Sequence, residues 1–157
     1  MKREHNYNVA VQWTGDRGNG TIDASKYDRS HIISITGKPD ILGSSDAAFR
    51  GDITKHNPED MLVASLSVCH MLWYLHLCAD AEVVVMGYKD SATGKMVENA
   101  GGGGRFTEVV LSPEIILQDI SKAELAESLH QKAHEKCFIA NSVNFPVKHK
   151  PVFVAAK

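Results

Sequence analysis

Cysteine is scarce in this sequence: three residues, an odd number and too few for a disulfide scaffold. Charge of one sign is lacking as well. Lys and Arg number 17 against 19 Asp and Glu, a formal net charge of −2 at pH 7. No basic excess exists to draw the chain onto nucleic acid or an anionic membrane surface. The most apolar stretch, Met61 to Cys78, is interrupted by Ser65, Ser67, His70 and His76, which speaks against a membrane span. The segment from Met1 to Trp13 has no apolar core of the kind a secretory signal carries. No internal repeat or linker stands out. These absences predict a soluble, cytoplasmic protein. What is present is ordinary globular composition, 43% hydrophobic and 23% charged over 157 residues. A chain of that length buries about 70% of its unfolded surface, enough for a core without staples.

Patterning predicts an α+β domain spanning residues 1–157. Tyr7 to Trp13 alternates, Asp16 to Gly20 supplies turn chemistry, and Thr21 to Ala24 and His31 to Ile35 extend an antiparallel meander. Gly15, Gly18 and Gly20 precede no helix, so a hairpin is the better reading than a nucleotide-binding loop. A polar connection covers Lys38 to His56. The clearest helix follows: Asn57 can cap, Pro58 suits the first position, and Glu59 and Asp60 favour the positive end of the dipole. From Met61 to Cys78 it is apolar nearly all round, which predicts burial in a core or against a second subunit. Strands are expected over Val83 to Tyr88 and from Phe106 to Leu117, with Ala100 to Gly104 a flexible loop between them. Ser121 with Glu124 forms a capping box for a second helix from Ala123 to about Lys136, and Val147 to Val154 completes the chain as a strand.

The thiols invite chemistry. Cys69 lies mid-helix, where a thiol is commonly inert core, and the N-terminal dipole fades before reaching it. A thiolate there requires a cation brought to it. Cys137 closes the second helix, an end that disfavours a thiolate, so it suits a resolving thiol better than a first attacker. Cys78 reads as structural. His130, His134 and Cys137 share one helix face at metal-ligand spacing. The other half of such a set would be Cys69 with His70 or His76, and solvent-facing or internally bonded histidines are the simpler reading.

The segment Asn57-Pro58-Glu59-Asp60-Met61-Leu62-Val63-Ala64-Ser65-Leu66-Ser67-Val68-Cys69 resembles the signature helix of the OsmC/Ohr family, the osmotically induced and organic hydroperoxide resistance proteins. Ala133 to Ser142, around Cys137, resembles that family's second cysteine segment, and the order of elements matches along almost the whole chain. The resemblance implies antiparallel sheets wrapped around two central helices in an intertwined homodimer, with active sites at the subunit interface. It also implies a cysteine-based peroxidase without haem, flavin or metal cofactor. Cys69 would be the peroxidatic thiol and Cys137 the resolving one. Glu59 matches the family's glutamate; Arg50 is the first choice for its arginine and Arg17 the second. Glu59 precedes Cys69 by ten residues, about 15 Å along a helix, so its carboxylate either caps the helix or serves a partner's site.

The implied cycle begins with attack of the Cys69 thiolate on an organic hydroperoxide, giving a sulfenic acid and an alcohol. Cys137 condenses with it to a disulfide and an external dithiol restores both thiols. This chain departs from the family at Phe138, where many members have proline, and in having His70, Trp73 and Tyr74. The competing expectation is a non-catalytic homodimer that binds a small ligand or a metal.

Overall fold

The computed structural model describes residues 3–157, so Met1 and Lys2, the start of the segment read above for a secretory signal, lie outside the described residues. The chain forms two compact units, one up to Met61 and one from Leu62 to Lys157.

The first unit is built on a three-stranded antiparallel sheet in the order β1 (Ala10–Trp13), β2 (His31–Ser34), β3 (Ile41–Gly43). Trp13 stands opposite His31, and His31 in turn opposite Gly43. Gly15 lets the loop close on itself: a Cβ there would fall 1.8 Å from the Asp28 carbonyl oxygen, to which the ladder-like Asp28 N–H to Gly15 bond of 2.8 Å is the counterpart. The strand expected at Thr21 to Ala24 is absent; those residues are turn. Local side chains outcompete a ladder there. The Asp16 carboxylate accepts from the amides of Gly18 and Gly20, and Asp23 accepts from the amide and hydroxyl of Ser25. The third strand of the meander is instead β3, inside the segment expected to be a polar connection. The same segment holds a 3-10 turn at Ala47–Phe49, capped by Asp46 and closed by Arg50 in the left-handed region at φ 64°.

Helix α1 (Pro58–Asp80) starts in the last residues of the first unit and continues into the second, two residues longer than expected. The Asn57 amide oxygen accepts the Asp60 N–H at 2.7 Å, the cap that the sequence indicated. Replacing Asn57 with Ala should lower stability by about 1 kcal/mol, read as a lower denaturant midpoint at unchanged slope. Glu82, at φ 55°, turns the chain after the helix so that Val83 N–H reaches the Cys78 carbonyl at 2.8 Å.

The second unit carries two further three-stranded sheets. One has β7 (Pro113–Leu117) between antiparallel β4 (Val85–Asp90) and parallel β9 (Val152–Ala155). The other has β6 (Gly104–Leu111) between antiparallel β5 (Thr93–Glu98) and parallel β8 (Val147–His149). The single last strand expected is thus two: Pro151, which has no N–H to give a ladder, separates β8 from β9, and each joins a different sheet. Strand β5 was not legible because all six residues are exposed, leaving no apolar alternation. The glycine run is its hairpin turn to β6, with Gly102 and Gly103 at positive φ.

Helix α2 (Ala123–Lys136) follows a 3-10 turn at Ile120–Lys122. Ser121 does not cap it as expected; Asp119 caps the preceding turn, accepting from the Ser121 amide and hydroxyl. Along α1 the residues Leu66, His70, Tyr74 and Cys78 form a buried stripe, one residue per turn. Its upper part, Leu66, packs with Val109 and Leu111 of β6. Its lower part, Tyr74 and Cys78, packs with Ile115 and Leu117 of β7 and with Ala126, Leu129 and Ala133 of α2. Gly94 in β5 permits the close approach of α1, since a Cβ would lie 2.6 Å from Val63 Cγ2. Asp90 ties the two sheets to the helix by accepting from Ser67 Oγ at 2.5 Å and Ser112 N–H at 2.7 Å.

Of the burial expected for α1, in a core or against a second subunit, the chain itself supplies one face. Its opposite face leaves Ala64, Val68, Leu72 and Ala79 exposed, Val68 at 49% and Leu72 at 60%. The helix is long and apolar enough, by length and composition, to cross a membrane, but its Leu66 to Cys78 stripe is occupied by sheet and helix packing.

Candidate active site

Cys69 projects from α1 at the level where the helix passes from one core to the other; Cys137 ends α2. The fold brings these two distant thiols near enough to interact, Cys69 being one of the groups that raise the Cys137 pKa. All three cysteines are free, Cys69 half-buried and Cys137 fully buried. Burial raises the Cys137 pKa, and Cys69 raises it further; the Ala140 N–H, 3.4 Å from its sulfur, pulls the other way. Cys137 is therefore held as a neutral thiol facing Cys69. The chain after it is wound tightly, with Asn141 donating to the Cys137 and Glu135 carbonyls and Ser142 to Phe138, which fixes the α2 terminus. Cys78 belongs to the core, and burial pushes its thiol up too.

Behind the thiols lies a group of buried histidines that sequence reasoning did not assemble. His70 and His130 are 2% and 0% exposed, and their rings are joined edge to edge by an N–H···N bond of 2.9 Å between His70 Nε2 and His130 Nδ1. Tyr74 stacks on His130 with ring centroids 4.0 Å apart. His149, from β8, stacks on both imidazoles at 5.8 Å and 5.4 Å. Burial first, then the neighbouring histidines, depresses both pKa values, His70 to about 4 and His130 to about 3. The sequence had paired His130 with His134 and Cys137 as possible ligands. Among the described residues no group of three His, Cys, Asp or Glu could hold a metal ion. Spacing put those residues on one helix, but the nitrogens of His70 and His130 point at each other, and His76 faces Asp80 at 3.5 Å on the surface.

The remaining residues singled out from the sequence belong to the first unit. Glu59 has a carboxylate oxygen, Oε2, buried without a hydrogen-bond partner. Arg17 grips Asp28 with two guanidinium nitrogens, both side chains exposed. Arg50 is exposed at the end of its 3-10 turn and makes no ion pair among the described residues. Sequence reasoning missed one cation. Lys136, immediately before Cys137, holds its ammonium 5.3 Å from the centre of the Trp73 ring, one turn beyond Cys69. Trp73 meets Phe138 edge to face at 5.9 Å, and Phe138 is 71% exposed.

A buried, neutral thiol near an accessible one is the arrangement a dithiol–disulfide couple requires. Comparison with known proteins shows the family. The family model described as OsmC-like protein matches residues 51–151. No curated protein sequence matches. Among solved structures, an OsmC-like protein of unknown function from Vibrio cholerae is similar at 32% identity, covering 95% of this chain and all of that one, with a TM-score of 0.85. Two share the fold at lower identity. An organic hydroperoxide resistance protein from Elizabethkingia anophelis is 19% identical over 99% of this chain and 100% of that one, with a TM-score of 0.70. One from Legionella pneumophila is 18% identical over 96% and 98%, at 0.67. Family model and fold converge: the chain belongs to the OsmC-like protein family.

Proposed function

We propose that this protein is a thiol-dependent peroxidase that reduces organic hydroperoxides, with Cys69 as the attacking thiol and Cys137 as the resolving one. The observation that carries the reading is the buried, neutral Cys137 thiol placed near enough to Cys69 for the two to interact. In the cycle, the Cys69 thiolate attacks the distal peroxide oxygen; the O–O bond breaks, an alcohol leaves, and Cys69 becomes a sulfenic acid. The Cys137 sulfur then attacks the Cys69 sulfur. An S–S bond forms, the S–O bond breaks, and the thiol proton departs with the hydroxyl as water. An external dithiol reduces the disulfide, and no haem, flavin or metal is required. The aromatic pair Trp73 and Phe138 favours an organic peroxide over hydrogen peroxide.

The active species is proposed to be a homodimer. The apolar face of α1 through Val68 and Leu72 is uncovered, and the buried Glu59 Oε2 lacks a partner within its own chain among the described residues. A guanidinium held bidentately by Glu59 would satisfy that oxygen and supply the positive charge a Cys69 thiolate needs. Arg50 suits this role better than Arg17, which Asp28 already engages.

Thiol titration before and after one equivalent of cumene hydroperoxide tests the chemistry. Loss of two thiols, with Cys69 linked to Cys137 in peptide mapping, is expected. No loss, with metal found by elemental analysis, would favour the binding protein instead. Leu72→Arg is expected to split the dimer in sedimentation velocity and to lower turnover at least about tenfold, because a charge cannot be buried unpaired in an apolar interface. A wild-type protein that sediments as a fully active monomer would remove the dimer from the proposal.

A further inference from the structure

We propose that the hydrogen bond between His70 and His130 is the positioning device that holds the end of α2 against Cys69 and thereby sets how readily the Cys69–Cys137 disulfide closes. The inference rests on the pairing of those two cysteines in the proposed function. Disulfide closure tolerates little error: the two Cα atoms must lie about 4.4–6.8 Å apart with the Cβ atoms converging. Apart from Lys136 over the Trp73 ring, much of the contact between α1 and α2 is apolar, Tyr74 and Cys78 against Ala126, Leu129 and Ala133. Apolar contacts of similar size can be satisfied in more than one register. A buried polar bond admits only the register in which it forms.

Among the described residues, His70 to His130 is the one side-chain hydrogen bond between α1 and the Ala123–Lys136 body of α2, apart from the interaction of Cys69 with Cys137 just past that helix's end. The bond between the imidazoles is connected through the helices to both reacting groups. His70 follows Cys69 directly, and His130 precedes Cys137 by two helical turns on a rigid segment. Neither imidazole bonds a carboxylate among the described residues, and His130 Nε2 has no partner at all, so each ring depends on the other. The Tyr74 ring stacked on His130 and His149 stacked on both fix the plane in which the bond can form. Loss of the bond would free α2 to shift by a fraction of a turn. A misplacement of about 1 Å costs on the order of 100-fold in a step that depends on approach.

The test separates the two chemical steps. His130→Phe keeps an aromatic ring against Tyr74 and removes Nδ1. In that variant, formation of the Cys69 sulfenic acid, trapped with dimedone after one equivalent of hydroperoxide, should stay within about twofold of wild type. Closure to the disulfide should slow by about 10-fold to 100-fold. In a dithiothreitol redox buffer the pair should become more oxidising by about 30 mV for each tenfold loss in its closure equilibrium. His130→Gln and His70→Gln, which retain an amide able to donate and accept, should recover part of the difference and serve if His130→Phe does not fold. A folded His130→Phe protein with wild-type closure and potential overturns the proposal; so does one in which sulfenic acid formation and closure fall equally. The potential needs no peroxide, so a protein inert to hydroperoxides would end the peroxidase reading while leaving this measurement decisive.

Discussion

Cys69→Ser is expected to lower hydroperoxide turnover by on the order of 1,000-fold or more, because a hydroxyl is not ionised near neutral pH and does not become a sulfenic acid. The remaining thiols do not substitute. Cys137 is buried and held neutral, its pKa raised above the ordinary thiol value, so its thiolate fraction at pH 7 is below about 1%. Cys78 is packed in the core with its pKa raised by burial. Cys137→Ser should behave differently: one equivalent of hydroperoxide is consumed at close to the normal rate, then Cys69 sulfenic acid accumulates and catalysis stalls. Stopped-flow consumption of cumene hydroperoxide, with intact-mass detection of one added oxygen, distinguishes the two variants. Unimpaired turnover by Cys69→Ser would leave the assignment of the attacking thiol untenable.

The contrast between those variants follows from features with unequal sequence signals. The cap at Asn57, the first-turn acids and the apolar run made α1 legible, and with it the position of Cys69. Cys137 was legible as the end of α2. Their meeting was not derivable from periodicity, because it depends on how α2 packs across two sheets whose strands come from scattered parts of the chain; the family resemblance supplied it. The strand errors have the same physical origin. Exposed β5 carries no alternation, β3 is only three residues long, and Thr21 to Ala24 lost its ladder to aspartate side chains nearby.

The histidines are the clearest case of information outside the linear pattern. His130 and His134 share a face of α2 and invite a metal reading, yet the partner of His130 is a ring on α1, sixty residues away. One local signal was available. A histidine in the Leu66, Tyr74, Cys78 stripe of an apolar helix has to find a polar partner inside the core. Lys136 against Trp73 carried a weaker hint, a cation adjoining the second cysteine segment.

That buried pair makes stability strongly dependent on mild acid. His70 and His130 have folded pKa values near 4 and 3, below the ordinary value of 6.5, with burial the leading cause in each. The groups around them from the packed elements are Tyr74 on α1, His134 and Glu127 on α2, and His149 on β8. His149 is itself depressed by burial and by His134, while Glu127 raises it. A histidine with a depressed folded pKa is neutral in the native state and protonated in the unfolded chain below pH 6.5. Its contribution is therefore complete above the unfolded value and is lost as pH falls toward the folded one. At pH 5 the loss is about 2 kcal/mol for each of the two rings, a large share of the ~5–15 kcal/mol by which a domain is stable. Carboxylates do not mimic this loss, since their unfolded values lie near 4 and their effect falls in a lower window. Urea unfolding at pH 7.5, 6.5, 5.5 and 5.0 should show the midpoint falling slightly over the first interval and steeply over the others. His130→Phe should start lower at pH 7.5, by about 1–3 kcal/mol for the orphaned His70 nitrogen, and then lose less on acidification, because one fewer proton is taken up on unfolding. A wild-type midpoint that stays level from pH 7.5 to 5.0 would mean that the two imidazoles are not buried neutral against each other.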